Sequence, residues 1–466
     1  MTQSVAQRTP AAEALLKSAA LGCVLMGGTK AMRGAGQKYL PKFPAESHEA
    51  YEARLASSFL FNGFKKTVRD MTGRVFTKSV EIEGDALSEE EQNIDMQGRD
   101  LSAFARDVFE AGLSGCGLSF IMVDAPPRPG TVTKAQAKAS SLRPYLVHVK
   151  PEEVLGWKTS TEGSRTFLSQ WRTMEKVEQD DPEDEFATVT VDQVRVLTLV
   201  DGKVNVRIYR EADKGANWEL YDEFDTQAAE ITVVPFYANR TGFFAAEPPL
   251  EDLADKNVEH WQSASDQRNI LHAARVPILH AAGRQDDEPL VVSAGMATTS
   301  HDPNAKLEWV EHTGAAIEAG RNDLKDLEFQ MQVLGLQLLV AGTETATGAS
   351  LDAAKETAPL AMMADNLKDA LEQALRWFTM YQGAETEVAV SVNKDFGLPP
   401  LTYQEVQALQ KDVSLGYLSL EEYYEERKRR GFLRSDLSVD EDMDKVETTA
   451  PDFARDASFP IGSEAE

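Results

Sequence analysis

An α+β fold is predicted by three features of the chain. Apolar residues recur at spacings of three and four between residues 47 and 111. They alternate at spacings of two within residues 144–245. Beyond residue 247 they return to helical spacing, in longer runs. The two periods occupy separate stretches, which is what places the chain in the α+β class.

Residues 1–35 read as marginal helix. Leu15 to Met26 is apolar in parts, but Lys17 lies inside it and no basic cluster precedes it, so an amphipathic helix is expected there rather than a signal peptide. After Tyr39-Leu-Pro-Lys-Phe-Pro44, Ser47 can cap a helix carrying Tyr51, Leu55, Phe59 and Leu60 on one face. A second helix places Phe64, Val68, Met71 and Val75 in register, and a short strand is expected at Val80–Glu83 within an acidic loop. Leu101–Ala111 is helical, with Phe104, Val108 and Phe109 as its stripe. Gly112-Leu-Ser-Gly-Cys-Gly117 then leads to a strand, Leu118–Val123. A nucleophile elbow would need glycine two residues after Ser114, where Cys116 stands, so a helix-to-strand turn is the better reading. Nor does it end in the Lys-Ser/Thr of a phosphate loop.

Residues 125–143, rich in Pro, Ala and Lys, read as a mobile loop. Val194, Val196 and Leu199, then Asp201-Gly202, then Val204, Val206 and Ile208 spell a hairpin. The carboxylates of Glu178–Glu185 lack the glycine-centred pattern of a calcium loop and read as a solvated surface loop.

Pro248-Pro249 opens a long helix to about Ala274, with Leu250, Leu253, Ala254, Val258, Trp261 and Ala264 on one face. Short strands are expected at Val276–Leu279, Leu290–Val292 and Leu307–Val310. A second long helix starts near Gly314 with Ile317, Leu324, Leu327, Met331, Leu334 and Leu338 as a narrow seam. Ala341–Ser350 is a polar break of small residues. The helix behind it runs to about Gln382, with a kink or a fresh start expected at Pro359. Thr402-x-x-Glu405 and Ser419-x-x-Glu422 are capping boxes of two short helices, the second closed by Gly431. An acidic, disordered tail is expected from Asp436.

The chain has 466 residues, 42% of them hydrophobic and 27% charged, within the range of ordinary globular proteins. Cys23 and Cys116 form neither a disulfide framework nor a zinc pair. No apolar run reaches the roughly 18 residues that span a bilayer. The net charge of −28 disfavours broad gripping of phosphates. It fits both plain solubility and a surface that DNA passes without sticking. His48, His148, His260, His272, His280, His301 and His312 show no metal spacing, and His260 and His272 are twelve apart on one helix. No catalytic residue, metal or cofactor is expected.

In order, Tyr39–Phe76, then Val234-Pro-Phe-Tyr-Ala-Asn-Arg240 with Pro248–Asn257 and Ile270–Leu279, then Gly342–Ser350 and the helix behind it resemble the portal proteins of tailed bacteriophages, of the kind found in siphophages and prophages. The resemblance covers about residues 35–435 and rests on the order of motifs. It implies a mixed α/β wing at 1–247, stem helices at 248–274 and 313–335, and a small β-containing clip at 275–312. A channel loop with a long kinked helix at 336–394, a helical crown at 395–435 and the tail at 436–466 complete the order. It further implies a dodecameric ring at one capsid vertex of the virion, assembled in the host cytoplasm, through which double-stranded DNA passes without sequence recognition. Partners would be the large terminase subunit, the head–tail adaptor and the major capsid or scaffolding protein, with no membrane.

Two long amphipathic helices around a short β insert cannot bury all their apolar surface as an isolated hairpin. Leu253, Val258, Trp261, Leu324, Leu327 and Met331 are therefore expected to pack between neighbouring copies. Thr343, Glu344, Thr345, Thr347 and Ser350 of the polar break lack the aromatics and arginines that stack on bases or clamp phosphates, which suits a sliding contact with DNA. An ordinary helix–helix connector is the plainer reading of that stretch. Another virion structural protein, a minor capsid or adaptor protein, is the alternative function, and a hydrolase a more distant one.

Overall fold

The computed structural model describes residues 4–83, 87, 90–126, 143–181, 184–213, 217–226, 228–275, 278–282, 304, 306–310, 314–336, 346–384, 386, 388–394, 396, 403–429 and 433. Two compact units divide the chain. The first holds Met1–Val340 and Met362–Asn393, the second Ala341–Ala361 and Lys394–Glu466.

In the first unit, α1 (Pro10–Met26) starts where Thr9 Oγ1 accepts the Ala12 amide at 3.3 Å and Pro10 supplies a pre-set φ. It buries Ala12, Leu15, Ala19, Gly22 and Leu25. α2 (Gly28–Ala35) follows, then α3 (His48–Ser57), capped by Ser47 Oγ on the Ala50 amide at 3.0 Å, as its sequence predicts. α3 stops at Ser57, so Phe59 does not join its apolar face and stands 65% exposed. α4 (Gly63–Val75) buries Phe64, Val68, Met71 and Val75. β1 (Glu81–Ile82) is short and pairs with β14 (Val390–Ser391), more than 300 residues away. α5 (Leu101–Ser114) runs three residues beyond its expected end.

The glycines after α5 are set by close approach. A Cβ on Gly117 (φ +78°) would meet the Glu247 carbonyl oxygen at 2.2 Å. One on Gly22 of α1 would sit 1.7 Å from the Ser114 carbonyl oxygen, so α1 and α5 cross backbone to backbone. The small residues of 112–117 therefore serve packing at a helix-to-strand turn.

β2 (Leu118–Asp124) is central in a three-stranded antiparallel sheet, between β3 (Tyr145–Val149) and β9 (Val233–Tyr237). A five-stranded meander follows the order β4 (Val154–Glu162), β5 (Arg165–Asp180), β6 (Thr188–Val200), β7 (Lys203–Asp213) and β8 (Asn217–Asp225). The main core lies where the sheets meet: Phe120 of β2 packs on Trp171 of β5 at 5.0 Å and on Phe244 at 5.4 Å between ring centroids. Two small strands, β10 (Arg240–Gly242) and β11 (Ala245–Ala246), lead out of this part.

The Asp201-Gly202 turn is as predicted. Both residues have positive φ (49° and 76°), and Val200 pairs with Lys203 across them. The facing of the hairpin differs from the simple alternation. Val194 and Val196 pack with Leu155 in a separate cluster, whereas Leu197, Val204 and Val206 join the main core, so both faces of β6 are covered. The predicted acidic loop also shrinks. Glu178, Gln179 and Asp180 pair with Thr190, Val189 and Thr188, so the carboxylates decorate the end of a long hairpin.

After α6 (Glu251–Ala274), strands β12 (Ile278–Ala282) and β13 (Lys306–Val310) pair antiparallel, Ile278 opposite Val310 and Ala282 opposite Lys306. Of the three strands expected here, Leu290–Val292 lies outside the described residues. α7 (Ala315–Met331) passes directly into a π-helical turn, Gln332–Leu336. α8 (Ala346–Tyr381) is one helix across Pro359, not a fresh start there. It begins four residues before the expected end of the polar break, and its residues fall in both units. In the second unit, α9 (Tyr403–Ser414) and α10 (Leu420–Arg429) pack together. Ser419 Oγ accepts the Glu422 amide at 3.1 Å, half of the predicted capping box, and Gln410 donates to Tyr423 Oη at 3.4 Å. Thr402, Gly431, residues 127–142 of the predicted mobile loop and the tail from 436 lie outside the described residues.

Candidate functional site

The α6–β12–β13–α7 segment is the part of the molecule whose construction most constrains its role. Two helices flank a β pair, and the first of them is pinned to the N-terminal region by polar side chains in an arrangement that hydrophobic spacing does not show. α6 buries Asn257, His260, Ser265 and Gln267 as well as Leu253, Ala254 and Trp261. Such groups are tolerated inside only when hydrogen-bonded, and most of these are. Asn257 Oδ1 accepts the Phe64 amide at 2.9 Å while its Nδ2 donates to the Phe61 carbonyl at 2.8 Å. Ser58 donates to Ser265 Oγ at 2.8 Å. Gln262 donates to the Tyr39 carbonyl at 2.9 Å, and Gln267 to the Ile317 carbonyl of α7 at 2.8 Å.

The Tyr39–Pro44 motif has its cause here. Arg54 of α3 is 5% exposed. Its guanidinium binds Glu46 through two nitrogens at 2.8 and 2.9 Å, donates to the Pro41 carbonyl at 2.8 Å, and lies 4.2 Å from the Phe43 ring centroid. The Arg54 hydrogen bond holds the Glu46 carboxyl below its usual range. Asp266 of α6 lies 3.6 Å away on the other side of the guanidinium, which ties the motif to the long helix.

Of the six residues expected to face a neighbouring copy, Leu253, Trp261, Leu327 and Met331 are each at most 4% exposed within the chain itself. Val258 and Leu324 are half-buried. The reason is that α4 and the π-helical turn pack against α6 and cover its seam: a Cβ on Gly335 would meet Leu253 Cδ2 at 2.4 Å, and one on Gly63 would meet Met331 Cε at 2.5 Å. The apolar surface left open is elsewhere, at Phe329 (65% exposed), Val333 and Leu334 (41% each). Thr343, Glu344 and Thr345 lie outside the described residues. Thr347 and Ser350 belong to the first turns of α8 rather than to a loop. At the β pair, His280 Nδ1 faces Glu308 Oε1 at 3.6 Å, a surface contact of little energetic weight.

A second feature, which motif reading does not reach, is an apolar cavity of about 670 Å³ bordered by β5, β9 and α8. Ile231, Val233, Phe244 and Trp377 are buried around it, and Arg165, Glu230 and Arg376 stand at its edge. Trp377 Nε1 donates to Glu230 Oε1 at 2.9 Å, and Arg165 meets the other oxygen at 2.5 Å. Its lining comes from segments as much as 221 residues apart, too far for any local pattern.

Two histidines sit in the fold as neutral groups. Burial, with Lys150 adding to it, lowers the His148 pKa to about 4, and its Nε2 lies 2.8 Å from Ser119 Oγ. Burial likewise lowers that of His260, against the pull of Glu328, whose Oε1 is 3.5 Å from Nε2. The unfolded imidazole takes up a proton near pH 6.5 and the folded one does not. Their contribution is therefore neutral above pH 6.5, becomes unfavourable as pH falls below it, and for His148 is fully developed below about pH 4. The loss attributable to His148 reaches about 3 kcal/mol at most. His148→Gln should flatten the stability–pH curve between pH 6.5 and 4 relative to wild type, read as the urea midpoint. Parallel curves for the two proteins would show that His148 is protonated in the fold.

Among the described residues there is no group of three or more His, Cys, Asp or Glu side chains that could hold a metal ion. Nor is any helix among them long and apolar enough to cross a membrane.

A family model described as a domain of unknown function (DUF4055) matches residues 249–382, the span from α6 through α8. No curated protein matches. Among solved structures, a chain from the neck of a native GTA particle computed with C12 symmetry is 11% identical. That match covers 86% of this chain and 98% of the other, with a TM-score of 0.43. A chain from the virion of a native gene transfer agent (GTA) particle is 12% identical over 78% of this chain and 87% of that one, TM-score 0.42. One from the neck of an empty GTA particle computed with C6 symmetry is 12% identical over 78% and 88%, TM-score 0.42. At that identity and degree of superposition the likeness carries no functional information.

Proposed function

We propose that this chain is a portal subunit, the head–tail connector of a tailed bacteriophage, which forms a ring around a DNA channel and carries out no chemistry itself. The observation that supports this most is the order α6, β12–β13 pair, α7, α8. In this reading these elements serve as stem, clip, second stem and long channel helix, the order that the motifs imply. The polar pinning of α6 suits a rod that must hold its direction under load. A chain of charge −28 suits a conduit that DNA passes rather than one that grips it.

In this reading the β12–β13 tip is the docking platform for the terminase motor during packaging and for the adaptor afterwards, and ATP hydrolysis belongs to the motor. Thr343, Glu344, Thr345, Thr347 and Ser350 line the channel at its narrowest part. Electron microscopy of the purified protein tests both levels. Twelve-fold rings with an axial hole, and density for residues 341–350 at the wall of that hole, are expected. Monomers or five-fold assemblies would overturn the portal reading in favour of another virion component. A ring with residues 341–350 at its periphery would overturn the channel assignment alone.

A further inference from the structure

At the end of the β5–β6 hairpin an aromatic side chain stands almost fully exposed. Phe186 is 91% exposed, the highest value among the large apolar side chains described. The described residues beside it are tied by their own hydrogen bonds. Asp184 Oδ1 accepts the Phe186 amide at 3.0 Å, and Ala187 donates to the Asp184 carbonyl and accepts from the Asp181 amide, both at 3.0 Å. Asp180, Asp181, Asp184 and Glu185 surround it with negative charge. The last residues of β5 are largely exposed, so the tip stands clear of the core on an arm.

At the other end of β5 lies the apolar cavity of about 670 Å³. Its walls are aromatic and aliphatic, and Phe243 at its edge is 42% exposed. Two cations stand at that edge, Arg165 and Arg376, against one carboxylate, Glu230, which is paired with Arg165. An apolar pocket with a net positive edge complements an apolar residue on an acidic turn.

Phe186 does not reach the cavity of its own copy. Arg165 is the first residue of a 16-residue strand and Phe186 lies beyond its last; at about 3.3 Å per residue the strand spans up to roughly 50 Å, with one bulge at Ser169 near its cavity end. The β5–β6 ladder is paired without interruption from Gln170 opposite Thr198 to Asp180 opposite Thr188, so the arm does not fold back. Knob and hole at opposite ends of one stiff element make a heterologous contact, the kind that propagates from copy to copy and closes when the rotation permits.

We infer that the β5–β6 tip of one copy seats Phe186 in the β5–β9–α8 cavity of the next, with Asp184 and Glu185 meeting Arg165 and Arg376. The contact joins copies head to tail. It deepens the ring reading, and rests on it only for closure.

The test places a photo-crosslinking benzoylphenylalanine at position 186 and mixes isotopically heavy and light copies. Crosslinks from a heavy copy to light peptides spanning 230–244 and 373–386 are expected. Phe186→Ser should lower the assembled fraction at least tenfold in sedimentation while leaving the thermal midpoint of the monomer unchanged. Arg376→Glu should weaken assembly, and Glu185→Arg added to it should restore it. Crosslinks elsewhere, crosslinks within one copy, or wild-type assembly of Phe186→Ser would each overturn the inference. Crosslinks to the cavity in filaments or dimers would uphold this contact and overturn the ring. Rings without these crosslinks would uphold the ring and overturn this contact.

Discussion

Arg195→Met is expected to destabilise the first unit by about 3–5 kcal/mol. Arg195 on β6 is 13% exposed in its side chain and reaches Asp124 at 2.9 Å and Glu175 at 2.6 Å. Tyr145 donates to Asp124 at 2.8 Å, and Gln193 to Glu175 at 2.8 Å. Asp124 and Tyr145 are register partners in the three-stranded sheet, whereas Arg195 and Glu175 belong to the meander, so one guanidinium joins the two sheets. Burial opposes its charge, but Asp124 and Glu175 more than offset this and hold its pKa above the ordinary arginine range. Burial, then the charge of Asp124, raises the Tyr145 phenol as well. Without the guanidinium two carboxylates stay behind with no counter-charge, which is why truncating one partner costs more than the cluster contributes net. Urea midpoints should show the loss. Adding Glu175→Gln should recover roughly 1 kcal/mol or more, because residues in one network are not additive. A loss under about 1 kcal/mol for Arg195→Met would mean that water solvates the cluster freely.

Asn257→Ala should destabilise by about 2–4 kcal/mol, since it strands a buried amide donor and a carbonyl acceptor together. Phe64 is the second residue of α4, where helices have free N–H groups. Asn62, the local cap, accepts from Lys65 at 2.9 Å, and Asn257, 193 residues further on, takes the Phe64 amide. Hydrogen exchange at Phe64 should rise in the alanine variant. Asn257→Asp should protect Phe64 but not recover full stability, because a carboxylate cannot donate to the Phe61 carbonyl. Full stability of Asn257→Ala, with Phe64 still protected, would assign the capping of α4 to another group.

Several elements were legible because their cause is local. Ser47 and Ser419 cap the helices they were expected to cap, and Asp201-Gly202 turns where two positive φ values are needed. Phe64, Val68, Met71 and Val75 sit on the buried face of α4, as period 3.6 requires. Elsewhere local pattern misled. Val194 and Val196 face a different cluster from Leu199 and its neighbours, because β6 is covered on both sides and alternation no longer marks one inner face. Leu253, Trp261, Leu327 and Met331 form the seam that spacing identifies, but spacing does not name the partner, and the same chain supplies it.

By itself the sequence determined the α+β class, the positions of most helices and of the Asp201-Gly202 hairpin, and the order of parts on which the portal proposal rests. These follow from hydrogen bonds and side-chain periods that act over fewer than about ten residues. Tertiary structure alone decided which apolar faces are already covered, that Arg54, Arg195 and Asn257 tie distant segments together, and that Phe186 and the cavity beside Arg376 lie at opposite ends of one strand. Each depends on residues scores of positions apart meeting in space, and while apolar spacing in a short window marks which face is buried, it carries no record of the distant segment that buries it.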